Sequence, residues 1–256
     1  MSKRWPTPII LISVIVLVVA FPTVSYAQVK VLMSGGFWAP FQEILPEFEK
    51  TSGMTVSATR GASQGTAPNT IGAQLRGGAP ADVVIMSREG LEELVAEGRI
   101  IAGTEVDLAQ TSLGVGVRAG APKPDITTVE AFKQALLRAK SLTVVSTTGI
   151  YVTSKLIPQL GIAKEMAGKI TNSGLPAVAR GDVEIAVQPV SELLHAPGVD
   201  FVGTVPEEIQ FVSVFTAAIV KGSKEPEASK RLITFLASEK AAGAIKKNGM
   251  EPLKSR

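Results

Sequence analysis

The 256-residue chain has no cysteine and a single histidine, His195. Disulfides, lipid attachment through an N-terminal cysteine and thiol chemistry are thereby excluded. With one His, no Cys and no carboxylates clustered at ligand spacing, no metal site is expected. Neither a Walker A pattern nor a G-x-G-x-x-G turn occurs, and no cofactor is expected. Aromatic residues make up only 5% of the chain, and no Lys/Arg cluster is interleaved with them, so nucleic acid is not an expected partner. No apolar run reaches the ~20 residues of a membrane span.

What the N-terminus does have is Lys3-Arg4, an apolar run from Ile9 to Ala20 that Pro22 ends, and small residues at Ser25 and Ala27. That order is a secretory signal peptide over residues 1–27, cut after Ala27. The mature chain is then periplasmic, without a membrane anchor. It keeps 24 basic and 23 acidic side chains, a net charge of about +1.

Downstream, short apolar strands alternate with helical periodicities. Strands are expected at Val29–Met33, Met54–Ala58, Asp82–Met86, Ser112–Val117, Leu142–Val145, Val183–Val187 and Phe211–Val220. Phe41, Ile44, Leu45 and Phe48 repeat at helical spacing ahead of Gly53, with Pro46 expected to kink that helix. The alternation implies an α/β fold of mostly parallel sheets, whose ligands sit beyond the strand C-termini.

Small polar turns occupy three of those places: Ser34-Gly35-Gly36, Gly61-Ala62-Ser63-Gln64-Gly65-Thr66 and Ser146-Thr147-Thr148-Gly149. The second combines glycines that admit a close ligand with hydroxyl donors. With Pro68 in a helix's first turn, it reads as an anion site at a helix N-terminus. It also matches G-x-S-x-G, the nucleophile elbow of serine hydrolases, with His195 later in the chain. Arg60 and Arg88 flank it and are candidates for a forked contact with a carboxylate. Asp82 and Asp182 read as structural caps. Glu43 and His195 are the candidate proton carriers, neither with a firm place in a cleft.

Ser34-Gly35-Gly36, Gly61-Ala62-Ser63, Gly78-Ala79-Pro80-Ala81-Asp82-Val83, Ala179-Arg180-Gly181-Asp182 and Phe235-Leu236-Ala237-Ser238-Glu239 together carry a resemblance. The mature chain, end to end, resembles the periplasmic molybdate-binding-protein family, type II solute-binding proteins of ABC importers, in a branch similar to periplasmic aconitate isomerase. The resemblance implies two lobes around a ligand cleft: residues 28–112 plus 216–256, and residues 113–215. Crossing strands near Leu113–Val117 and Val212–Ala217 form the hinge. It places Ser34 and Ser63 on the ligand, with Thr148, Thr171 and Gln188 at the family's second-lobe positions. The expected ligand-binding set is Ser34, Gly35, Gly36, Arg60, Ser63, Gln64, Arg88, Thr148, Gly149 and Gln188. The leading functional expectation is a monomeric carrier that delivers a small anion, an oxyanion or small carboxylate, to an ABC permease. The alternatives are an aconitate isomerase and a serine hydrolase using Ser63.

Overall fold

A computed structural model describes residues 28–253; the segment expected to be a signal peptide lies outside them. In the first half, β1 (Gln28–Ser34), α1 (Trp38–Ser52), β2 (Thr55–Gly61), α2 (Ile71–Arg76), β3 (Val83–Ser87) and α3 (Arg88–Ala96) lead into the long β4 (Val106–Arg118). The middle holds α4 (Val129–Arg138), β5 (Leu142–Thr143), α5 (Ser146–Tyr151), α6 (Ile157–Gln159), α7 (Ala163–Met166), β6 (Ile170–Thr171), α8 (Leu175–Arg180), β7 (Ile185–Pro189), α9 (Val190–Leu193) and β8 (Val199–Thr204). The chain returns through β9 (Val212–Ile219), α10 (Pro226–Leu236), α11 (Glu239–Lys247) and β10 (Glu251–Pro252).

The strands run in the order β2-β1-β3-β9-β4-β7-β5-β6, with β8 and β10 also on β4. Residues 106–112 of β4 pair with β9, whereas residues 113–118 pair with β7 and β8. One strand therefore serves two sheets. Pairing is parallel within β2-β1-β3 and within β7-β5-β6, and antiparallel wherever β4 or β9 takes part. Four pairings are parallel and five antiparallel among the described strands, so the mostly parallel expectation fails at the central seam, where the returning β9 and the shared β4 run against their neighbours. At the seam, the Gln210 side chain accepts from Leu113 N (2.7 Å) and donates to Leu113 O (3.1 Å) and Val205 O (2.8 Å), tying the returning chain to the point where β4 changes sheets.

Alternating residues split each central strand between two cores, as the period of two requires. Val29, Val31 and Met33 of β1, Val83 and Ile85 of β3, and Phe215 and Ala217 of β9 pack under α1, α10 and α11. Leu32, Val84, Met86 and Ala218 face α2 and α3 on the other side. The second sheet buries Ile185 and Val187 beneath α4 to α7, and Ala186 beneath α8 and α9.

Several local expectations shift. The first helix runs through Pro46, which lies with Gln42 on the exposed side, so the hydrogen bond lost with the missing N–H falls at the surface. The helix after the second turn starts at Ile71, capped by Thr70 Oγ1 accepting from Ala73 N, and not at Pro68. The strand expected over Leu142–Val145 is two residues long because the next helix begins at Ser146.

Asp82 is structural. It is buried, and its Oδ2 accepts from Lys30 N (2.9 Å) while Oδ1 accepts from Ser223 Oγ (2.8 Å) and Lys224 N (3.0 Å). Asp82→Asn presents an amide N–H to one of these donors. We expect a loss of about 2 kcal/mol, read as a melting temperature lower by roughly 4–8 °C in thermal denaturation.

Candidate functional site

The C-terminal ends of β1 and β2 lie side by side, with Ser34 paired to Gly61. Arg60 thus stands beside the Ser34-Gly35-Gly36 turn, its guanidinium carbon 5.3 Å from the centre of the Trp38 ring. From the second sheet, β7 ends in Gln188-Pro189 and passes directly into α9, which carries Ser191 and Glu192. The two edges meet over Gly35. A side chain there would come within 3.1 Å of Arg60 Nη2 and 3.4 Å of the Glu192 carboxyl. Gly35 is therefore the space into which a cation and a carboxylate, one from each sheet, both look. A cavity of about 500 Å³ opens at this point, lined by Gly35, Trp38, Arg60, Ser191, Glu192 and His195 among others. Small-molecule sites fall in this size range.

Two buried donors belong to the same strand-to-helix connection. Gln188 and Ser191 are each 1% exposed. Gln188 Nε2 and Ser191 Oγ have no hydrogen-bond partner among the described residues, and neither does Glu89 Oε2. Unmet buried donors are costly, and of the two residues Ser191 lines the cavity. Glu89 differs: it sits in the first turn of α3, where the helix N–H groups favour negative charge.

The second turn does other work. Ser63 Oγ accepts from Ser87 N (2.9 Å). Ser87 Oγ in turn shares a 2.7 Å hydrogen bond with Thr147 Oγ1, and Gln64 N donates to Ser146 Oγ (3.1 Å). The turn is thus bound to the start of α5, across from the first sheet to the second. Ser146 sits at φ 56°, the only residue other than glycine with positive φ among the described residues. The Gln64 side chain reaches away to Glu93.

The other expected site residues are placed as follows. Ser34 is 6% exposed and does not cap the short 3₁₀ turn it precedes. Gly36 is packed on the Phe215 ring. Arg88 departs from expectation: it is ion-paired with Asp107, which also accepts from Thr216 Oγ1 (2.7 Å), so its fork is engaged within the first sheet. Thr148 is buried in α5 beside Thr147, and Gly149 lies against Val144. Thr171 donates to Leu142 O (3.4 Å) within the second sheet. Glu43 is exposed and bound to Lys247 and Asn248, hydrogen bonds that hold its carboxyl below the usual range. The nucleophile-elbow pattern is not realised: Ser63 is hydrogen-bonded to Ser87, and α2 begins only at Ile71. Among the described residues no three acids or histidines are grouped as a metal site requires.

Glu192, Ser191 and Trp38 line the candidate cavity and were not singled out by the sequence reading. The available signal was position, since Val190-Ser191-Glu192 directly follows the C-terminus of a buried strand. Glu192 is half-buried, and burial pushes its carboxyl up to about 7 against the opposing pull of Arg60.

The family model for bacterial extracellular solute-binding proteins matches residues 29–251. An aconitate isomerase of a Pseudomonas species is 37% identical over 230 residues, covering 87% of this chain and 87% of that protein. Among solved structures, the periplasmic molybdate-binding protein of Azotobacter vinelandii superposes with a TM-score of 0.70 at 20% identity, over 87% of this chain and 98% of that one. A sulfate-binding protein of Mycobacterium tuberculosis gives 0.66 at 20% identity, over 89% of this chain and 88% of that one. These structures share the two-lobed solute-binding fold.

Proposed function

Because the chain belongs to the bacterial extracellular solute-binding protein family, we propose that it works in the periplasm as a monomeric two-lobed protein. The lobes are residues 28–112 plus 216–256 and residues 113–215, and they close on a small polycarboxylate. We propose further that it is an aconitate isomerase, shifting the double bond between the trans and cis forms of that tricarboxylate. The carrying observation is the charge of the cleft. The Arg60 and Arg180 guanidinium groups line a cavity of about 500 Å³ together with Ser191, whose buried hydroxyl has no partner among the described residues. Forked cations plus a neutral donor suit several carboxylates spread over one molecule better than a compact oxyanion. The 37% identity to an aconitate isomerase supports the same ligand class.

The second reading is a carrier that hands the same anion to an ABC permease and does no chemistry. The family's description as solute-binding proteins favours it. One experiment separates the two: purified mature protein is mixed with trans-aconitate and the product followed by chromatography, with calorimetric titrations of trans-aconitate, molybdate and sulfate alongside. Formation of cis-aconitate is the expected result. Tight binding without turnover selects the carrier, and molybdate binding with no response to aconitate refutes the polycarboxylate reading.

A further inference from the structure

We propose that Glu192 is the catalytic base of this cleft, taking a proton from the methylene carbon of a bound tricarboxylate and returning it to the far end of the allylic system. The inference rests on the isomerase reading.

The argument starts from position. Glu192 projects from α9, at the C-terminal end of β7, into the space left open by Gly35. Its carboxyl and the Arg60 guanidinium lie within 3.4 Å and 3.1 Å of the same point there. Among the described residues Glu192 enters no ion pair and no side-chain hydrogen bond, unlike Glu43, which is tied to Lys247 and Asn248. A carboxylate facing a site for anions weakens simple binding by like-charge repulsion, so a pure carrier gains nothing from it. A proton-transfer enzyme requires a basic group within reach of the substrate C–H.

The charged and titratable groups around it come from three elements. Arg60 is on β2, Arg180 is at the end of α8, and His195 follows α9, all lining the same cavity. Burial is the larger influence on Glu192 and Arg60 the opposing one, leaving it poised near neutrality, where one group can both accept and return a proton.

The step balances without any co-reactant. The C–H bond of the methylene breaks and its proton passes to Glu192. The electron pair becomes the new C=C bond as the old π bond opens, with charge spread onto a carboxylate that Arg60 grips. Glu192 then delivers the proton to the former vinyl carbon and is again a carboxylate. The rotamer about the former single bond at the moment of deprotonation sets the geometry of the new double bond, so the cis form arises without any further bond being broken.

Glu192→Gln and Glu192→Asp test this, with turnover of trans-aconitate, calorimetric binding and thermal melting measured on each. For Glu192→Gln we expect turnover to fall by about 10²–10⁴-fold, while trans-aconitate binds as tightly as to wild type or more so. Glu192→Asp is expected to retain a measurable fraction of activity. Folding is monitored independently. The buried carboxyl is raised to about 7 in the folded chain, so its favourable contribution is present below the unfolded value and lost as pH rises through about 7. The amide lacks that loss, and Glu192→Gln should melt no lower than wild type at pH 8. Turnover of Glu192→Gln within fivefold of wild type overturns the assignment. Joint loss of binding and turnover in a folded variant also overturns it, by making Glu192 a grip. Wild-type protein that binds trans-aconitate without converting it removes the isomerase reading, and the base with it.

Discussion

Arg60→Ala is expected to weaken trans-aconitate binding by roughly 10- to 100-fold, the worth of a hydrogen-bonded contact to a charged group. The guanidinium is placed by two features. Its backbone ends β2 opposite the Ser34 turn, and its planar head lies 5.3 Å from the Trp38 ring centre. A lysine cannot reproduce the fork or the stacking, so Arg60→Lys should recover only part of the affinity. Trp38 is one of two tryptophans, and in protein expressed from Gln28, which lacks Trp5, its fluorescence is a direct titration signal.

The same substitution moves the pH dependence in a defined direction. A base must be ionised to act, so kcat/KM rises with pH through the ionisation of Glu192, near 7 in the free protein. Arg60 lowers that value against the larger effect of burial. Its removal leaves burial unopposed, and the half-maximal point of the profile should move to higher pH. A profile of unchanged midpoint in Arg60→Ala would mean that another group limits the rise.

Gly36→Ala is expected to be the most damaging single substitution to the fold. A Cβ at position 36 would lie 2.1 Å from Phe215 Cζ and under 3 Å from two further ring atoms. Phe215 is 2% exposed, in the core that also holds Met33, Phe37 and Phe41, and has no room to retreat. Overpacking of this kind costs about 3 kcal/mol, a fall in melting temperature of roughly 6–12 °C for a chain of this size. Gly35→Ala makes the contrast. Its Cβ would meet the flexible ends of Arg60 and Glu192 at 3.1–3.4 Å, so stability should change little while ligand affinity falls. Chemical denaturation and titration of the two variants separate a glycine kept for packing from one kept for the cleft. Equal destabilisation of both would contradict that division.

The local sequence determined most of the architecture. Alternating strands and helices, the apolar periodicities of α1 and α4 and the small polar turns are short-range signals, because strand and helix periods are properties of neighbouring residues. Ser34 and Gln188 could be placed at strand ends from those signals and the family resemblance. What lay beyond the sequence were partnerships between distant residues. Arg88 and Arg60 look alike in the chain, each near the second turn, yet one is paired with Asp107 and the other is left facing the cavity. Ser63 reads as a ligand donor, and the fold adds a contact the sequence does not show: its oxygen accepts from Ser87 N, and the Ser87 hydroxyl reaches Thr147 sixty residues on. Glu192 reads as one more acid on a short helix, and only the meeting of α9 with the Ser34-Gly35-Gly36 turn encloses it and raises its affinity for a proton. A side chain's hydrogen-bond partners and its local dielectric are set by what folds against it. Periodicity carries no information about either, so the sequence determined the frame while tertiary contact decided which polar groups remain free for a ligand.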